Sequence, residues 1–439
     1  MENKNYLVST ITGQRYPFDR IAEFAENGEA LEVAIRRRGE DIGRQDEAIG
    51  RKDEAFTRRD ETVKRQDEPV RGKTGAMIRS GKHLWERFTD FLPFRFLNES
   101  VSLGEGNTAL VKADNKLKDF TGLNRLLLKN ETLNPTWSFK DRGSLACMAM
   151  ANEMNEEVVA TISTGNMGHS IAAYAAKAGK RAIVFVPWFA PKEKTMAMGI
   201  HGAVILKISG PDYSDIKKHI LQLAESLPLR IVSGNGPIRV EGYKMTAFEL
   251  YEQMDGVVPD YIAVPTSACG HIRGVFKGYR ELLQAGLIRS LPKMIVVQAR
   301  NNSPIVTAIK QGREHIVPFT NVHTVAEAIT TGNPMGGDEI IDKAGRYGWL
   351  AEDVTEQEIL QSQKKLAESG YFVEPSSATS LFAIKKLREA GKLEKDATVV
   401  MMLTGSGLKD ASVLSHHDAS AFEIGVAEVE KKVSELMGS

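Results

Sequence analysis

Beyond about Leu84, short apolar runs alternate with stretches whose apolar residues recur every three or four positions, as in buried strands joined by amphipathic helices. The runs predict strands at 158–162, 182–186, 203–208, 261–264, 294–298 and 399–403, with a further buried strand at Leu126, Leu127 and Leu128. Helices are expected near 168–178, 192–200, 214–226, 240–253, 271–286, 357–369 and 377–390, and from about 143 to 154. Such alternation is the signature of an α/β fold with parallel sheets covered by helices on both faces. It suggests a large domain over 74–143 and 236–415, interrupted by a smaller, mobile α/β domain at 144–235, with a binding cleft between them.

The ends of the chain read differently. Residues 1–38 are short and mixed. From 39 to 73 runs a charged repeat of period seven, with Gly43, Arg44, Gln45, Asp46, Glu47, Ala48 and Ile49 as its first clear copy. Gln45, Lys52, Arg59 and Gln66 stand where a second apolar stripe would fall, and a coiled-coil seam needs both stripes. A solvated linker, away from any active site, is therefore expected rather than a partner-binding helix. In 416–439, Phe422, Val426, Val429, Val433 and Leu436 share one helical face, which marks an amphipathic helix that docks on its own body or within a homodimer.

Composition narrows the partners. Of 439 residues, 42% are hydrophobic and 26% charged, enough for a large core. Lys plus Arg equals Asp plus Glu at 57 each, so no global field favours nucleic acid or an anionic membrane. The two cysteines, Cys147 and Cys269, are too few and too far apart for a disulfide framework or a thiolate metal site. Reduced thiols in a cytoplasmic protein are expected. No apolar run is long enough to cross a bilayer, and the start has no apolar core before a cleavage site.

The candidate chemistry centres on Ser138, Phe139, Lys140, Asp141, Arg142 and Gly143. This segment follows a buried strand and the Asn134, Pro135, Thr136 turn, and it opens a helix. A lysine that bonds an aldehyde must first shed its proton, and burial at such a junction lets it do so. On its own the segment reads equally as a solvated helix start.

Other motifs break the tie. Asn134 to Gly143, Ser163-Thr-Gly-Asn-Met-Gly168 and Leu403-Thr-Gly-Ser-Gly-Leu-Lys-Asp410 occur in the order found in fold type II pyridoxal phosphate (PLP) enzymes, related to the tryptophan synthase β subunit. More narrowly, with Leu103-Gly-Glu-Gly-Asn-Thr108 and Thr330-Thr-Gly-Asn-Pro334, they resemble threonine synthases over roughly residues 80 to 415. The resemblance implies two parallel-sheet α/β domains with the cofactor between them. It makes Lys140 the catalytic and cofactor-bearing lysine, Asn166 the partner of the ring hydroxyl, and Thr404 the hydroxyl facing the pyridine nitrogen. It implies that Ser163, Thr164 and Gly165 receive the substrate carboxylate and that Arg239, in Arg-Val-Glu-Gly, meets the substrate's phosphate. The Thr266 to His271 turn, after one strand and before a helix, is the candidate phosphate cup through Ser267, Ala268, Cys269, Gly270 and His271. His271 either adds charge there or caps the helix.

Departures from the family pattern are informative. Ser9 and Thr12 stand where some threonine synthases have the first cysteine pair of a zinc ribbon, so no structural zinc is expected. The cup has fewer glycines than usual, and Gly236 replaces the Asn that normally lies three residues before Arg239. Trp137 occupies a position usually small, where it either fills part of the pocket or turns into the core. Lys192 and Lys194 are rim cations or solvated helix residues. The resemblance implies a lyase that turns O-phosphohomoserine and water into threonine and phosphate. A β-replacing relative acting on O-phosphoserine, similar to cysteate synthase, or a dehydratase, would share the scaffold. From another class, a silent PLP-fold binding module is disfavoured by the intact Lys140, Asn166 and Thr404.

Overall fold

The structure, a computed structural model, describes residues 5–18, 22–35, 78–95, 97–188, 190, 192–209, 220, 223, 227, 229–320, 322–417 and 423–437. The heptad repeat, most of the helix expected at 214–226, and Phe422 lie outside them.

Three sheets form, of which two carry the site. The larger is built from β4 (Leu110–Lys112), β5 (Arg125–Asn130), β10 (Tyr261–Pro265), β11 (Lys293–Ala299), β12 (Leu350–Val354) and β13 (Thr398–Leu403), in the order β12-β11-β10-β13-β5-β4. All neighbours are parallel except β4 with β5. Strand periodicity explains the two-sided burial. Val400 and Met402 join one core with Val275 and Phe276, while Met401 and Leu403 join the other with Leu381 and Ile384. The helices responsible are Gly270–Gln284 and Pro375–Glu389.

The second sheet is fully parallel, with β6 (Val158–Ile162), β7 (Arg181–Pro187), β8 (Val204–Ile208) and β9 (Arg230–Val232) in the order β8-β7-β6-β9. All six strands expected from apolar runs form within a residue or so of their limits. The helix expected at 240–253 is instead two, Pro237–Tyr243 and Met245–Gln253. Ala247 N–H bonds the Lys244 carbonyl only three residues back, which tightens the turn between them.

The third sheet joins β1 (Tyr6–Ser9), β2 (Arg15–Pro17) and β3 (Leu31–Ala34) in antiparallel pairs. Its centre is held by oxygen. Ser9 and Thr12 hydroxyls both donate to the Glu29 carboxylate, which also receives Asn27 Nδ2 at 2.7 Å. Thr10 Oγ1 donates to Glu339 at 2.8 Å, tying this unit to the helix Gly337–Tyr347. Among the described residues no group of three His, Cys, Asp or Glu side chains could hold a metal, and no helix is long and apolar enough to cross a membrane. Both cysteines are free and buried.

The C-terminal helix Val429–Met437 forms, and its apolar face is about half exposed among the described residues. Val429, Val433 and Leu436 are each 44% exposed or more.

Candidate active site

The turn after β5 returns to the edge of β13 before it enters the helix Lys140–Glu153. Phe139 N–H bonds the Thr404 carbonyl at 3.0 Å, and Ser406 N–H bonds the Trp137 carbonyl at 3.0 Å. These bonds present Lys140 as the first helical residue, three positions earlier than apolar periodicity alone suggests. Asp141 braces the turn from inside. It accepts Thr136 N–H and Ser170 Oγ, each at 2.6 Å, and the Thr136 hydroxyl.

Lys140 opens onto a cavity of about 470 Å³, counting its mouth. Burial penalises its ammonium, the Arg239 guanidinium adds repulsion, and the Glu374 carboxylate opposes both. The balance lowers Lys140 to about 7. An amine so tuned is substantially neutral at physiological pH and can act as a nucleophile and a base. Its Nζ lies 4.2 Å from the Phe139 ring centroid, and His271 stacks on that ring at 3.9 Å between centroids.

One wall is the Thr266–His271 turn at the start of the helix Gly270–Gln284. Ser267, Ala268, Cys269, Gly270 and His271 all line the cavity. A Cβ on Gly270 would lie 2.2 Å from the Gly234 carbonyl oxygen, so any other residue would open this turn. Ser267 Oγ donates to Thr331 Oγ1 at 2.8 Å, which attaches the turn to the Thr330–Pro334 motif. His271 is buried with neither ring nitrogen bonded among the described residues, and desolvation lowers it to about 3. It faces the cavity as a neutral imidazole.

Asn166, Glu374, Ser376 and Thr404 also line the cavity. Asn166 begins the helix Asn166–Lys177 after β6, and its Nδ2 donates to Glu374 Oε2 at 2.8 Å. Thr404 Oγ1 lies 2.7 Å from Ser377 Oγ and 3.4 Å from Glu374 Oε1. Glu374 is one of the site residues that sequence reasoning missed. Its setting, Glu-Pro-Ser-Ser-Ala, reads as an ordinary helix start, and only the Pro at the first helical position signals the element.

Other candidates lie outside the cavity lining. Ser163, Thr164 and Gly165 form the turn into Asn166, with Gly165 N–H bonded to Ser163 Oγ at 3.2 Å. Arg239 lies beneath Lys140 at 1% exposure, its Nη1 3.1 Å from Tyr243 Oη and 3.4 Å from the Lys140 carbonyl. Lys194 pairs with Glu327. Glu105 and Thr108 of the Leu103–Thr108 motif are scaffold. Tyr174 Oη donates to Glu105 at 2.6 Å, and Thr108 N–H to Glu249 at 2.7 Å, within a buried cluster with Lys129, Glu131 and Arg142. Trp137 takes neither expected course. It is 50% exposed and absent from the lining, because its backbone φ of +64° turns the side chain outward.

The lining fits pyridoxal phosphate. A neutral lysine suits its aldehyde, the unpaired His271 and the start of a helix suit its phosphate, and the Asn166 and Thr404 side chains suit the polar atoms of its ring. Residues 101–405 match the pyridoxal-phosphate dependent enzyme family. The threonine synthase of Methanocaldococcus jannaschii is 37% identical over 359 residues, covering 80% of this chain and 87% of the relative. That of Methanosarcina acetivorans is 39% identical over 326 residues, covering 74% and 80%. Among solved structures, the processed form of threonine deaminase isoform 2 from Solanum lycopersicum superposes with a TM-score of 0.60 at 20% identity, covering 87% of this chain and 94% of that one. Serine racemase from Dictyostelium discoideum gives 0.58 at 24% identity, covering 69% and 92%, and both share the fold. The cavity chemistry, the sheet arrangement and the extent of these matches lead to one conclusion: the chain belongs to the pyridoxal-phosphate dependent enzyme family, within its threonine synthase branch.

Proposed function

We propose that the protein converts O-phospho-L-homoserine and water to L-threonine and phosphate. The observation that carries this reading is a lysine lowered to about 7 at a cavity lined by the Thr266–His271 turn together with Asn166, Glu374 and Thr404. In this reading Ser267 to His271 hold the cofactor phosphate, Asn166 and Thr404 face its ring, Ser163 to Gly165 take the substrate carboxylate, and Arg239 attracts the substrate phosphate. Bound there, the cofactor supplies an electron sink for negative charge at the substrate's Cα and Cβ. Lys140 removes the α proton and then moves one from Cβ. A pKa near neutrality suits both giving and taking. Phosphate leaves from Cγ with the bridging oxygen, the proton taken from Cβ is replaced by one at Cγ that completes the methyl group, water adds its hydroxyl at Cβ, and a proton returns to Cα.

The partner is a small phosphorylated amino acid, and a cytoplasmic homodimer completes the reading. The exposed apolar face of the C-terminal helix supports a second copy. Incubation with O-phosphohomoserine and with O-phosphoserine separately, followed by product identification, tests the reaction. Threonine from the first is expected; consumption of only the second would assign a β-replacing enzyme.

A further inference from the structure

The N-terminal three-stranded unit reaches the back of the site through one side chain. Glu23 lies between β2 and β3, and its Oε2 accepts a 2.7 Å hydrogen bond from Ser233 N–H. A Cβ on Gly236 would lie 2.0 Å from the same oxygen, so the carboxylate occupies space that a side chain at 236 would need. The glycine leaves room for this carboxylate at a position where the threonine synthase pattern has Asn. Three residues further on, Arg239 is buried with Nε and Nη2 lacking any partner among the described residues. Unpaired guanidinium nitrogens at that depth are costly and mark a place where an anion would be gained.

We propose that Glu23 is an internal competitor for the anion site at Arg239, so that a carboxylate delivered by the N-terminal unit sets how tightly the enzyme takes the phosphate end of its substrate. The inference rests on the reading that Arg239 attracts that phosphate. Glu23 already uses the kinds of partner a phosphate would use, a backbone N–H and the field of Arg230 and Arg239. Two anions cannot share these partners without repulsion, so a dianion binds fully only after Glu23 is displaced or gains a proton. Burial favours that proton, raising the Glu23 carboxyl above its ordinary range despite both arginines.

The test is sulfate binding to the holoenzyme by calorimetry, in wild type, Glu23→Gln and Glu23→Ala, together with kcat and KM for O-phosphohomoserine. Gln retains an acceptor for Ser233 N–H while removing the charge, and Ala removes the competitor outright. Both variants are expected to bind sulfate roughly five- to tenfold more tightly, with KM falling in step and kcat nearly unchanged. Sulfate affinity that is unchanged or weaker in a folded, cofactor-loaded Glu23→Gln variant would overturn the proposal, since Glu23 would then only brace the 233–236 loop. Failure of the wild type to consume O-phosphohomoserine would instead remove the functional reading, and the sulfate comparison would still decide the role of Glu23.

Discussion

The Asn166 amide donates a 2.8 Å hydrogen bond to the Glu374 carboxylate, and this bond joins the two main sheets across the cavity. Asn166 starts the helix that follows β6 of the four-stranded sheet, whereas Glu374 precedes the helix Pro375–Glu389 packed on the six-stranded one. Burial raises Glu374, while the Asn166 bond and the positive charges of Lys409 and Lys140 pull the other way. The carboxylate therefore sits where three groups of the site converge.

Glu374→Ala is expected to leave the Asn166 amide unpaired and to destabilise the protein by about 2 kcal/mol. Turnover should fall about tenfold as Asn166 loses its orientation. Thermal unfolding and kcat, measured on the same preparation, check both effects. Full activity would remove Glu374 from the working site.

Lys140 supplies a pH dependence with a definite sign. Burial, then Arg239, disfavour the ammonium, so the nucleophilic free amine dominates above about pH 7 rather than above the ordinary 10.5. The rate at which apoenzyme captures pyridoxal phosphate should rise through neutrality and level off. A rate that continued to climb toward pH 10 would indicate an ordinary lysine.

Trp137 carries a backbone cost rather than a pocket role. A left-handed φ of +64° on a bulky residue is unfavourable, and glycine adopts it freely at some entropic cost in the unfolded chain. Trp137→Gly is expected to stabilise the fold by a net of about 0.5 kcal/mol, seen as a small rise in Tm. The ratio of kcat/KM for O-phosphohomoserine and O-phosphoserine should not change. A shifted ratio would put the indole back at the substrate.

Much of this layout was legible in the residues, and the exceptions have physical causes. Strands β6, β7, β10, β11 and β13 are buried on both faces and so announce themselves as apolar runs, while Lys140 stands at a strand-to-helix junction rich in turn residues. Strand β4 has three residues and one antiparallel neighbour, too short to show a period. β1 to β3 are short as well, and their unit is fastened by scattered polar bonds such as Ser9 to Glu29. Glu23 could not be read because its meaning depends on contact with a loop more than two hundred positions away. The depth of Arg239 follows from helix packing that a local motif does not encode.

Lys409, in the Leu403–Asp410 motif, acts as a tie. Its ammonium donates to the Thr136 carbonyl at 2.6 Å and lies 2.9 Å from His169 Nδ1. His169 accepts only when neutral, and burial followed by repulsion from Lys409 lowers it from 6.5 to about 4. Its folded pKa is depressed, so the stability it contributes is complete above pH 6.5 and is lost as pH falls through about 4. Lys409→Met should lower Tm at neutral pH and flatten its fall between those values. A parallel, undiminished acid limb would show that the pair is not coupled.

The measurement that tests the central claim most directly is turnover of O-phosphohomoserine in ¹⁸O-enriched water, with mass analysis of both products. Cleavage at Cγ–O followed by addition of water at Cβ should place one solvent oxygen in the threonine hydroxyl and none in the released phosphate. Solvent oxygen in the phosphate, or phosphate release without threonine, would contradict the assigned reaction.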